Sequence, residues 1–159
     1  MLLDCLDGQR RHVLGILDGL DDKALRRPVL PSGWSCAGLV NHLALDVERF
    51  WFRAAVAAEQ DLIAEQAVVD ENAWQVGPDV AGEDVLARYR QEIERSDAII
   101  AATALDAAPA WWPDFFGDWR METLREVLLH VITETATHAG HLDAAREIID
   151  ERQWLVLTE

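Results

Sequence analysis

The chain has 159 residues, half of them apolar, and a formal net charge of −15 from 29 acidic and 14 basic residues. That length fits a single domain over residues 1–159 able to bury most of its apolar surface, and the composition excludes disorder. The acidity excludes a duplex-binding surface, which needs a basic patch to displace counterions from phosphates.

In chain order, the opening MLLDCLDGQRRH mixes acids and bases and lacks the basic start and apolar middle of a signal peptide. No later run approaches the roughly 20 apolar residues of a membrane span. A cytoplasmic protein with no membrane partner is expected. Leu3, Leu6, Val13, Leu14, Leu17 and Leu20 space out a first helix over about 2–20. Pro28, Pro31 and Gly33 then break the helical pattern. Ser35 stands at an N-cap before a second helix over about 36–58, with Cys36, Val40, Leu43, Val47, Phe50, Trp51 and Ala54 as its stripe. Residues 61–82 are long for a loop and read as a crossover between parallel helices or as a segment with a short helix of its own. A third helix over about 83–104 starts at Glu83 and Asp84, acids that suit a helix N-terminus. The stretch LDAAPAWWPDFFGDW interrupts it before a last helix over about 121–150, and an apolar tail closes residues 154–157. Only that tail offers a short strand. Four long helices with two long connections predict an all-α four-helix bundle with crossovers.

Three of the five histidines fall within twelve residues of the last helix. His130, Glu134 and His138 recur at i, i+4 and i+8 and share a face; His141 follows one turn on. Two such side chains one turn apart can chelate one ion, and His42 on the second helix is the natural further ligand. Spacing alone leaves the bland reading open: Glu134 and His138 also suit an ordinary helix-surface pair, and a histidine at a core margin is often only hydrogen-bonded. His12, beside Arg10 and Arg11 and off the leucine stripe, reads as surface. Cys5 and Cys36 are too few and too far apart for a disulfide framework and read as small core hydrophobes.

Seven tryptophans is a high count. Trp34 and Trp51 read as core. Trp111, Trp112, Phe115, Phe116 and Trp119 crowd the loop before the last helix, where they could wall a pocket over the ion, cap the bundle or meet a second subunit.

The strings PSGWSCAGLVNHLALDVERFWF and ITETATHAGHLDAAREIID resemble the actinobacterial branch of the DinB/YfiT-like superfamily, which includes mycothiol-dependent maleylpyruvate isomerase and the YfiT-type metal hydrolases. The resemblance covers essentially the whole chain and implies a metal triad on His42, Glu134 and His138. Glu134 is similar to the isomerase variant of that triad. His141, where many relatives have Gln, is implied as a water-binding or catalytic group, with Glu134 as a second catalytic candidate; His130 has no family role. The implied cofactors are a divalent metal (zinc, with nickel or iron as alternatives) and mycothiol. The implied activity is a thiol-dependent transferase or isomerase, or a hydrolase, acting on a small-molecule substrate with a thiol partner, in a homodimer. The alternative is a stress-associated, dimeric metal-binding bundle without turnover.

Overall fold

The computed structural model describes residues 1–66 and 72–154. Among these residues the chain is helical and forms no strand. Its elements are α1 (Leu2–Leu17), α2 (Asp22–Arg26), α3 (Cys36–His42) with a π-helical continuation (Leu43–Val56), α4 (Gln60–Gln66), α5 (Gly82–Ala102), a 3₁₀ turn (Asp114–Phe116) and α6 (Leu124–Asp150).

Local sequence explains the ends. Ser35 Oγ accepts from the Gly38 N–H at 3.1 Å, as an N-cap should. Thr123 does the same for Glu126 at the start of α6. Leu17, not Leu20, ends α1, and Gly19 takes the left-handed conformation (φ 79°) that turns the chain. The single turn of α2 carries too few residues to show a period, so only its cap, Asp21 accepting from Ala24, marks it.

The direction of each long helix follows from paired contacts. His12 meets Asp143 and, further along both helices, the Ile16 carbonyl meets Arg146, so α1 and α6 run the same way. Asn41 meets Arg88 and Glu48 meets Ser96, so α3 and its continuation run parallel to α5. The two pairs oppose each other, since His42 faces His138 while Trp51, later in its helix, faces the earlier His130. Parallel neighbours need a long return, which residues 57–81 supply. The crossover reading of that stretch holds, and it also contains the short helix α4.

One contiguous apolar core joins the four long helices, including Leu6, Ile16, Leu39, Leu43, Phe52, Leu128 and Leu142. Within it lies an ion pair. The Arg10 guanidinium donates from Nε and Nη2 to both oxygens of Glu48, at 2.7 Å each, and from Nη1 to Asp97 at 2.7 Å. Arg10 is 3 % exposed and Glu48 0 %. The Tyr89 hydroxyl, also fully buried, has no hydrogen-bond partner among the described residues.

Two sequence expectations change. His12 is not surface: it is buried, bonded through Nε2 to Asp143 at 2.7 Å and stacked on Trp154 with centroids 5.3 Å apart. Trp154 rests so closely over Gly15 that a Cβ there would come within 2.2 Å of the indole. The charged neighbours of His12 hid a position that α6 covers from outside its own helix. Cys36 is buried as expected, but Cys5, in the first turn of α1, is exposed, while Leu2 and Leu6 of the same helix pack against or within the core. Leu3 in that turn is likewise 45 % exposed. Of the apolar tail, residues 155–157 lie outside the described residues.

Candidate metal centre

His42 is the last residue of α3 and Glu134 and His138 are one turn apart on α6. The opposed helices bring one ligand atom from each within 4.8 Å of one another, the one such cluster of three among the described residues. The imidazoles of His42 and His138 meet edge to face at 5.0 Å, and His138 Nε2 lies 3.5 Å from Glu134 Oε2. His138 is buried, whereas His42 and Glu134 are half-buried, so the cluster sits at the margin of the core.

Both histidines are oriented from behind. His42 Nδ1–H donates to the Asp46 carboxylate at 2.8 Å, which leaves Nε2 to face the cluster. His138 Nδ1 lies 3.3 Å from Nδ1 of His141. With Nε2 of His138 as the ligand atom, Nδ1 carries the proton and donates to His141. Such outer partners fix the tautomer and ring orientation of a ligating histidine. Two imidazole nitrogens held this way, with a carboxylate oxygen beside them, suit a divalent ion such as zinc. His141 itself is exposed and stands outside the three.

Trp74 is the residue that sequence reading missed. Its indole stacks on His42 at 4.4 Å with planes 20° apart and meets the edge of His138 at 5.3 Å. The Asn41 amide donates to the Ala73 carbonyl at 2.8 Å and so holds this loop against α3. Gly38 permits the approach, because a Cβ there would lie 2.1 Å from the Trp74 carbonyl oxygen. Trp34, read as core, is only partly buried and lies 6.2 Å from the His141 ring; Trp51 is buried as read.

One turn before Glu134, His130 leaves the ligand set and joins the aromatic loop. Its ring meets Trp51 at 4.8 Å and Trp119 at 6.1 Å. Phe116 stacks on Trp51, and Phe115 beside it is 67 % exposed. The loop therefore borders the cluster along α6 rather than lying over Trp74.

Burial holds His138 below the ordinary imidazole value of 6.5, and the neighbouring His42 adds to the effect. Burial also lowers His130, against the opposing pull of Glu134. Between these depressed values and pH 6.5 the unfolded chain binds protons that the folded chain refuses. The stability of the metal-free protein is then complete above pH 6.5 and falls as pH drops through that value toward the depressed ones. Urea midpoints at pH 7.5, 6.5 and 5.5 are expected to decline in that order, with a shallower decline in His130→Gln; an equal decline in the variant would remove His130 from the account.

No helix among the described residues is long and apolar enough to cross a membrane. The family model described as Mycothiol-S-transferase matches residues 1–151. Neither a curated protein nor a solved structure matches the chain.

Proposed function

Because this chain belongs to the mycothiol S-transferase family, we propose that it is a metal-dependent enzyme that joins mycothiol, through its sulfur, to an electrophilic small molecule, whose leaving group departs as the thiol proton is lost. His42, Glu134 and His138 hold the metal and Asp46 and His141 orient the two imidazoles. The convergence of those three ligand atoms within 4.8 Å carries the reading. A three-ligand set leaves coordination positions open, as catalytic sites do. A divalent ion held there supplies charge that lowers the pKa of a thiol or a water.

The chain's own residues define the rest. Burial pushes the Cys36 thiol, six residues before His42, up to about 11, so it is not a thiolate near neutral pH. That buried thiol is therefore poorly suited to be the nucleophile, which fits a thiol that arrives with a substrate. His138 stays neutral to lower pH than a free imidazole, which keeps its nitrogen available to the ion. Glu134, half-buried at the edge of the cluster, completes the set with its carboxylate. His141, exposed behind His138, accepts a hydrogen bond from it.

The test is elemental analysis of the purified chain followed by a conjugation assay with mycothiol and 1-chloro-2,4-dinitrobenzene. About one zinc, nickel or iron per chain is expected, with thioether formation at least 100-fold above the uncatalysed rate and abolished by a chelator. Metal without turnover on a panel of electrophiles would favour the non-catalytic bundle. No metal even after reloading would sink the reading.

A further inference from the structure

A cavity of about 380 Å³ lies between the end of α1, α2 and the start of α5. That volume is within the roughly 300–1,000 Å³ usual for small-molecule sites. None of its lining belongs to α3 or α6, which carry the metal ligands. Asp18 at its edge is level with Arg146, which stands about 12 Å beyond His138 along α6. Contacts across the cavity hold its walls. Asp22 Oδ1 accepts from the Gly82 N–H at 2.6 Å, and Arg26 donates to the carbonyls of Gly77 and Val80. Gly82 permits this approach, because a Cβ there would lie 2.8 Å from Leu25 Cδ1.

The lining has two zones. Leu14, Leu17, Leu20, Leu25 and Leu86 form an apolar floor. Leu14, Leu20 and Leu86 are only partly buried, so an apolar occupant would take further surface from water. At the rim, Asp18, Asp21, Asp22 and Glu83 stand exposed, with Arg90 as the one cation of the lining. Asp21 and Asp22 each give an oxygen to a backbone N–H, but the carboxylates of Asp18 and Glu83 have no hydrogen bond or ion pair among the described residues. Arg152 already brings a guanidinium to this edge, donating to the Asp18 carbonyl at 2.6 Å. The rim stays negative with both arginines counted, and an anion is disfavoured there. A bare inorganic cation would leave the leucine floor wet, and a neutral apolar molecule would leave the carboxylates unused. An ammonium carried on a compact apolar body matches both zones.

We infer that this cavity is a binding site for a small hydrophobic cation, an organic amine whose apolar body rests on the leucines and whose ammonium reaches Asp18 and Glu83. It is separate from the metal centre and independent of the reading given to that centre.

The probe is 2-phenylethylammonium, titrated into the full chain while the leucine methyl signals and backbone amides are followed by NMR. Phenylacetate serves as the anionic counterpart, 2-phenylethanol as the neutral one and magnesium ion as the bare cation. Saturable shifts of the Leu20 and Leu86 methyls and of the Gly82 amide are expected with the amine, with a Kd on the order of 1 mM. Binding about tenfold weaker is expected with 2-phenylethanol, and none with phenylacetate. Asp18→Asn combined with Glu83→Gln, both at exposed positions, is expected to weaken amine binding about three- to tenfold and to leave 2-phenylethanol unchanged. Leu20→Ala is expected to weaken both by about threefold or more. The double carboxylate variant guards against a Leu20→Ala that fails to fold. No saturable shift at these leucines, phenylacetate or 2-phenylethanol binding as tightly as the amine, or unchanged amine binding in the double variant would overturn the inference. Amine shifts confined to the rim amides and reproduced by magnesium would also overturn it, marking an acidic surface only. The titration uses neither metal uptake nor thiol transfer, so its failure leaves the reading of the metal centre standing, and a chain that takes no metal leaves the cavity standing.

Discussion

Alanine at His42 or His138 is expected to strip the bound metal from the protein, from near one ion per chain to below about a tenth, and to take thiol transfer with it. Losing an outer hydrogen-bond partner alone costs a metal site about 10–100-fold in affinity, and losing a ligand nitrogen costs more. His42 is the one ligand from α3, so His42→Ala leaves ligands from α6 alone, while His138→Ala leaves a single nitrogen and a carboxylate. The effect also appears as heat stability. An ion at a hundred times its Kd stabilises the folded state by about 2.7 kcal/mol, which raises the Tm of a chain this size by about 5–10 °C. Added zinc should produce that rise in the native protein and not in either variant. Asp46→Ala, which frees the His42 ring without removing a ligand, should fall between them. Undiminished metal content in both histidine variants would disprove the assignment.

Arg10→Ala is expected to be the most damaging change away from the site. Glu48 is fully buried and gives both carboxylate oxygens to Arg10. Removing the guanidinium leaves that carboxylate without its partner inside the core, which typically costs about 3–5 kcal/mol. Chemical denaturation should show a loss of that size, and the Tm should fall by about 10 °C. Replacing the pair together, Arg10→Met with Glu48→Leu, should restore most of the loss, because the buried charge goes with its partner. A double variant no better than Arg10→Ala would show that the pair itself, not the orphaned charge, holds these helices.

The parts of this molecule that were legible in the sequence are those written by local period or local capping. The four long helices followed from apolar spacing, Ser35 from its place before Cys36, and the shared face of His130, Glu134 and His138 from steps of four. Wheel angles already put Glu134 and His138 at the edge of the apolar stripe and His130 further round; in the structure the first two meet His42 and His130 meets Trp51. The missing parts depend on residues far apart in the chain. His12 is covered by Asp143, 131 residues away, so its neighbours in sequence misled. Trp74 stands in an irregular loop with no period, and only Asn41 and Gly38 on α3 bring it to the imidazoles. Asp46 was within reach, being one turn after His42, where a carboxylate can orient a ligand. The π geometry from Leu43 to Val56 was not, since it changes the helical period on which the reading relied.

The parallel pairing of α1 with α6 also decides when this protein can finish folding. His12 leaves the ribosome 131 residues ahead of Asp143, an interval on the order of ten seconds at ordinary elongation rates. Throughout that time Leu6, Val13, Ile16 and Leu17 have no α6 to cover them. The earlier helices can gather around Arg10 and Glu48 as they emerge, but the core closes only when α6 arrives. The candidate ligand cluster comes together at the same moment, since two of its three residues lie on that helix. A half-made chain therefore lacks the cluster, and the ion proposed to bind there would enter after synthesis rather than guide it.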